Sequence, residues 1–306
     1  MKKKKNKAFA PSVKTHLIAK PIQRCFPIFM LPTFLAFCIG FIWPFIQGLY
    51  LSFCKFTLPQ DAKFIGLQNY IKAFQDRGFR YSFGYTTAFA VVSIIAINVL
   101  AFIVAYLLTQ NIKGSNIFRT VFFMPNLIGG IVLGYIWSMI FDGILKNYGT
   151  YLLAETKYGF WGLLILMCWQ QVGYMMIIYI AGLQSVPEDM MEAAKIDGAT
   201  KWQTLWKITI PNVMSSITIC VFLTLTNSFK LFDQNLALTG GSPVAFNPDG
   251  SMVNTTEMLA LNIYSTFYTS ANSRGFAQAK AVLFFILVAV LALAQLKLTR
   301  EKEVQQ

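Results

Sequence analysis

Six stretches of the chain carry no Asp, Glu, Lys or Arg: residues 25–54, 81–112, 120–141, 158–187, 208–229 and 281–296. A helix that crosses a bilayer needs about 20 predominantly apolar residues, so the first five are long enough as they stand. The sixth reaches that length by starting near Phe276 and letting Lys280 snorkel to the interface. The pattern predicts an all-α integral membrane protein of six transmembrane helices, with spans of about 27–53, 84–110, 119–141, 159–183, 208–229 and 276–298. A basic tail over 1–24 and a short tail over 301–306 flank the 25–300 domain. The apolar run after the first tail exceeds the roughly 7–15 residues of a signal-peptide core and has no small-residue cleavage site, so it is read as the first span.

One polar island, residues 184–207, separates the fourth and fifth stretches. Ser185-Val186-Pro187-Glu188 has the S-x-x-E form of a capping box and predicts a helix starting near Val186. Gly198 follows Ala194 by one turn, where a helix end favours a residue that tolerates a left-handed backbone. Thr200 to Gln203 offers a second capping box, so the island reads as helix, glycine turn, helix. Met190, Ala193, Ala194 and Ile196 leave apolar surface on the first piece, and Trp202, Leu205 and Trp206 do so on the second.

Three segments lie on the opposite side: 53–80, 142–157 and 230–275. The first contains Gly66-Leu67-Gln68-Asn69-Tyr70 and predicts a short interfacial helix. The last carries Thr239-Gly240-Gly241-Ser242-Pro243 and the turn signal Asn247-Pro248-Asp249-Gly250. Loops above about 12–15 residues are usually functional or disordered, so this one is a docking surface, a plug or a solvated connector.

Polar residues within the spans need hydrogen-bond partners away from lipid. Gln170, Gln171 and Tyr174 sit within one turn beside Trp169, and Thr224, Asn227 and Ser228 share a face of the fifth stretch. Amides and hydroxyls beside aromatic rings suit a neutral polyhydroxylated ligand, and they equally suit hydrogen bonds between helices. Gly130 and Gly134 form a G-x-x-x-G that permits close helix approach, within the chain or to a partner. Pro32 and Pro44 are expected to bend the first span, and Pro211 to occupy the first turn of the fifth.

Composition supports the membrane reading, since only 13% of the 306 residues are charged against about 25% in soluble domains. The net charge of +13 raises nucleic-acid binding, but that requires basic residues gathered on a folded face. Here many lie in the 1–24 tail, so no nucleic-acid partner is expected. Lys and Arg are enriched in that tail, in Lys113 and Arg119, in Lys195, Lys201 and Lys207, and in Lys297, Arg300 and Lys302. The positive-inside rule then puts both termini and the island in the cytoplasm. The five cysteines show no C-x-x-C spacing and the one histidine is His16 in the tail, so neither a metal site nor a catalytic residue is expected.

Two function classes fit: a subunit of an ATP-driven importer, or a self-sufficient secondary transporter or channel. Secondary transporters usually carry intramembrane acids or broken helices that couple ions, and no carboxylate lies in the six stretches. The sequence also lacks G-x-x-x-x-G-K-[ST]. Energy is therefore expected from a separate subunit, coupled at the island.

Glu192-Ala193-Ala194, then Gly198, Ile208, Ile210 and Pro211, resembles the EAA loop of permease subunits of binding-protein-dependent ABC importers, with Ile210 where the family usually has leucine. Residues 181–187, Ile196-Asp197-Gly198-Ala199, 66–70, Phe118-Arg119-Thr120 with Pro125, and Thr239-Gly240-Gly241 with Pro243 resemble the carbohydrate branch typified by the maltose and multiple-sugar transporters. The likeness runs from about Pro27 to Arg300.

The resemblance implies a type I ABC importer permease fold in a prokaryotic inner membrane. Its partners would be a second permease in a heterodimer, two cytoplasmic ATPases that bind ATP and magnesium, an extracytoplasmic sugar-binding protein, and membrane lipid. This chain would bind no cofactor. Coupling would fall to Glu192, Ala193, Ala194, Asp197, Gly198, Trp202, Ile208 and Pro211. Sugar contacts would fall near Gln170, Gln171, Tyr174, Thr224 and Ser228, with Asn227 beside them. Ser242 replaces a family glycine in T-G-G-G-P, residues 244–253 look inserted, and the maltose permease's extra N-terminal helices and large outer domain have no counterpart here.

Overall fold

The computed structural model describes residues 28, 30–110, 112–246 and 250–300. The expected tails at 1–24 and 301–306, the start of the first span at residue 27 and the turn tip at 247–249 lie outside the described residues. The chain divides into two units at Tyr50/Leu51, and each is taken by itself.

In the first unit runs most of helix α1, Met30–Ser52, whose apolar side chains are largely exposed. Residues Cys38–Ile42 widen into a π-turn immediately before Pro44. Proline has no N–H to give the carbonyl four residues back, so the helix expands ahead of the ring.

The second unit begins with a two-residue antiparallel ladder, β1 (Cys54–Lys55) and β2 (Lys63–Phe64), followed by the expected short helix α2, Gln68–Gln75. Asn69 donates from Nδ2 to the carbonyls of Ser52 and Cys54, at 2.9 Å each, and ties α2 to the chain before it. Helix α3, Arg77–Leu108, is capped by Asp76, whose carboxylate accepts from the Phe79 N–H. Its inward stripe is Ser82, Thr86, Ala90, Ser93, Ile97, Ala101 and Ala105, mostly small side chains three or four residues apart. Small residues let a neighbouring backbone come close in lipid, where there is no aqueous hydrophobic drive.

The stretch read as the third span is not one helix. Helix α4, Ser115–Phe123, leads through a 3₁₀ turn at Met124–Leu127 to helix α5, Gly130–Leu145, with a bend of 101°. Pro125 and the extended conformations of Ile128 and Gly129 explain the break.

Helix α6, Thr156–Gln184, is the central element, packed along α3. Phe89, Ile97, Leu163, Met167, Met176 and Tyr179 make their shared core. The island gives α7, Glu188–Ile196, and α8, Lys201–Asn212. A break at Val213 bends the chain by 70° into α9, Met214–Phe229. Residues 208–212, read from sequence as the start of the fifth span, thus belong to α8. Pro211 lies near the end of α8, again just after a π-turn, Leu205–Thr209.

The 230–275 segment folds back on the bundle as α10 (Asp233–Leu238), an antiparallel hairpin of β3 (Val244–Phe246) and β4 (Met252–Asn254), and α11 (Leu259–Thr269). Helix α12, Arg274–Arg300, packs on α11 and α9. Four of these helices are long and apolar enough to cross a membrane, and up to six spans result if each bent pair counts as one.

Candidate functional site

The island is built from local signals, one of which works differently from expectation. Ser185 closes α6: its N–H and its Oγ both donate to the Gly182 carbonyl, Oγ at 2.8 Å. Its hydroxyl is therefore spent on the preceding helix and forms no capping box with Glu188. Val186 precedes a proline, which disfavours helical geometry, so α7 starts at Glu188 after Pro187. Glu188 and Asp189 then lie at the positive end of its dipole and Lys195 at the negative end.

At the other end of α7, Ala199 N–H bonds the Ala194 carbonyl at 2.9 Å and Gly198 N–H bonds that of Lys195 at 3.2 Å. This pair is a Schellman motif, and Gly198 takes the left-handed position with φ +74°. The second capping box forms as expected. Gln203 N–H donates to Thr200 Oγ1 at 3.2 Å, and Thr200 N–H donates to Gln203 Oε1 at 2.8 Å.

Two capped helices thus present a rigid corner. Glu192, Ala193, Asp197 and Gly198 are exposed on it, as are Ile196 (85%), Trp202 (67%) and Trp206 (54%). Ala194 is buried against the chain itself, and Ile208 and Pro211 are half-buried. The indoles of Trp202 and Trp206 meet edge to face at 5.7 Å. Ile196, Trp202 and Trp206 thus leave an exposed apolar surface on this corner.

The polar residues of α6 and α9 divide into two groups. Gln170, Thr224 and Ser228 are buried, and their polar atoms are engaged within the chain. Gln170 Nε2 donates to the Ile128 carbonyl at 3.1 Å and Gln170 Oε1 accepts from Gln234 at 2.7 Å. Irregular backbone at membrane depth needs such a partner, and Gln170 supplies it at the break between α4 and α5. Thr224 accepts from Asn98 at 3.2 Å, Ser228 pairs with Ser93 at 3.1 Å, and Tyr179 donates to Asn98 at 2.7 Å. Gln171, Tyr174 and Asn227 are half-buried, with Asn227 donating to Gln171 Oε1 at 3.2 Å.

The 230–275 segment is packed rather than a solvated connector. A Cβ added at Gly134 would lie 2.5 Å from Ala237 Cβ, and one at Gly130 would lie 2.8 Å from Asp233 Cβ. The G-x-x-x-G therefore seats α10 of the same chain. Asn235 is its hub: Nδ2 donates to the Thr256 carbonyl at 2.8 Å, and Oδ1 accepts from the Met258 N–H at 3.0 Å. Thr239, Thr256 and Glu257 are buried beside it. The described part of the 244–253 stretch lies in the hairpin of Val244–Phe246 and Met252–Asn254, which exposes Phe246 and Met252.

Lys280 corrects the sequence reading most clearly. It does not snorkel but is 2% exposed, with Nζ bonding Asp76 Oδ2 at 2.7 Å, Asn262 Oδ1 at 2.9 Å and Thr266 Oγ1 at 2.8 Å. Asn262 Nδ2 continues to Glu257 Oε2 at 2.9 Å. An ammonium has three protons to donate and each finds an oxygen. Sequence reasoning passed over Asp76, Glu257 and Asn262; the signal was a lone lysine inside an apolar stretch, which calls for a named partner.

A multi-span helical membrane subunit with an open apolar corner, and no P-loop in its sequence, is the class these features define. The chain belongs to the family of binding-protein-dependent transport system inner membrane components, whose model matches residues 97–302. It is thus the non-enzymatic permease subunit of an ABC importer. The probable starch degradation products transport system permease protein AmyD of Thermoanaerobacterium thermosulfurigenes is 42% identical over 91% of this chain and 94% of its own. The multiple sugar-binding transport system permease protein MsmF of Streptococcus mutans is 32% identical over 87% and 92%. A crystal structure of a bacterial ABC transporter that imports the acidic polysaccharide alginate matches with a TM-score of 0.76, at 20% identity, over 93% of this chain and 98% of the matched one. That likeness establishes the type I importer permease fold.

Proposed function

We propose that this permease moves a neutral carbohydrate, an oligosaccharide or related sugar, into the cytoplasm, driven by separate ATPase subunits that seat on the 184–207 loop. The observation that carries the coupling is the capped corner around Gly198, with Glu192 and Ala193 exposed on it. Asp197, Ile208 and Pro211 complete the proposed coupling surface, Trp202 flanks it on the side turned to α3, and Ala194 supports it from within. The names of the starch-product and multiple-sugar relatives support the substrate class. Gln171, Tyr174 and Asn227 form the proposed substrate-facing patch, uncharged and capable of pairing with sugar hydroxyls. Gln170, Thr224 and Ser228 hold the helices that carry it.

The remaining partners are a second permease, a binding protein on the outer face, and ATP with magnesium on the ATPases. Both termini and the loop face the cytoplasm in this reading, by the positive-inside rule. Replacing residues 192–206 by a Gly/Ser linker tests it. The ATPase subunit is expected to be lost on co-purification while the permease remains in the membrane, and retention of the ATPase overturns docking at this loop.

A further inference from the structure

Trp202, Leu205 and Trp206 of α8 line a cavity with Phe102, Ile103 and Tyr106 of α3. A second cavity adjoins it, with Tyr106 and Leu205 as their common wall. One, about 490 Å³, is lined almost wholly by apolar groups, among them Phe102, Ile103, Trp202, Trp206 and Ile217. The other, about 360 Å³, is mixed: Lys195 and Lys201 line it with the hydroxyl residues Thr109, Thr204 and Thr209 among Leu183, Val186 and Met191. Neither lysine has a carboxylate partner among the described residues.

We infer that these two chambers form a site for one anionic phospholipid, with an acyl chain in the apolar chamber and the phosphate on Lys195 and Lys201. An ammonium pair at one end of an otherwise apolar slot, beside two indoles, is the arrangement that suits an amphiphile with a negative head. Tryptophans settle at the membrane interface, and basic pockets between helices on the cytoplasmic side take anionic headgroups. A partner helix would cover the apolar chamber but leave both ammonium groups unmatched. A free anion would use the lysines and leave the apolar chamber unfilled. The occupant would set the distance between the coupling loop and α3, so the lipid is placed to tune the corner that the ATPase engages.

The test uses the complete importer in detergent, titrated with brominated phosphatidylglycerol and, separately, brominated phosphatidylcholine. Tryptophan quenching is followed without ATP or sugar, so the outcome does not depend on the transport reading. Phosphatidylglycerol is expected to quench at about 10- to 30-fold lower concentration than phosphatidylcholine, the worth of two lysines near an anionic headgroup. Lys195→Gln with Lys201→Gln should bring the two curves together, and Lys195→Arg with Lys201→Arg should restore the gap. Equal curves in the unsubstituted protein overturn the proposal, as does quenching by neither lipid, which would show the slot filled by another subunit. Full competition by glycerol phosphate also overturns it in favour of a free-anion site.

Discussion

Lys280 Nζ stands 2.7 Å from Asp76 Oδ2, and this pair joins the last long helix to the cap of α3. Asn262 and Thr266 hold the same ammonium, so one buried group fastens α3, α11 and α12. Removing one partner of a buried pair costs about 3–5 kcal/mol because the other charge is left uncompensated, and the lower end applies because Asp76 is 31% exposed. Lys280→Met should lower the thermal unfolding midpoint of the assembled importer, and adding Asp76→Asn should recover part of the loss. A midpoint unchanged by Lys280→Met would dissolve the fastening role.

Gly198 is required for its backbone alone, because a Cβ there would meet nothing within 4 Å while φ is +74°. A left-handed L-residue costs about 1–2 kcal/mol, with Asn the usual exception. Gly198→Asn is therefore expected to keep most ATP-driven uptake, Gly198→Ala less, and Gly198→Val least. The order is read from initial uptake rates at matched membrane abundance, and a Val variant as active as the Asn variant would contradict it.

Gly134 is a contact position of the opposite kind, with the added Cβ only 2.5 Å from Ala237 Cβ. Gly134→Ala should destabilise by about 1–3 kcal/mol through overpacking. Ala237→Gly in the same chain should return much of that loss, so the cycle measured by thermal unfolding would be strongly non-additive.

Gln170 and Gln171 are neighbours with different expected phenotypes. Gln170→Ala strands Gln234 and the Ile128 carbonyl at the α4–α5 break, which should cost about 1–3 kcal/mol of stability. Gln171→Ala with Asn227→Ala removes a half-buried pair whose partner is its own mate. That variant should unfold normally and raise the KM for sugar uptake. A stability loss equal to that of Gln170→Ala would assign the pair to packing.

Local chemistry in the sequence determined a good deal of this protein. Apolar length against bilayer thickness marked the helices, and the glycine turn and the Thr200–Gln203 box were legible because each acts within a few residues. Ser185 shows the limit of that logic: its hydroxyl could serve the helix before it or the helix after it, and the fold chose the first. The break at Pro125 carried breaker residues, but its partner Gln170, which donates to the Ile128 carbonyl, comes from far along the chain. Hydropathy alone sent Lys280 to the interface, whereas three oxygens from two other helices keep it buried. The sequence by itself marked the long apolar stretches and the glycine turn at Gly198. Only the tertiary structure decided which polar groups are spent on one another and which remain open, because burial in lipid obliges each to find a partner and the partners come from far along the chain.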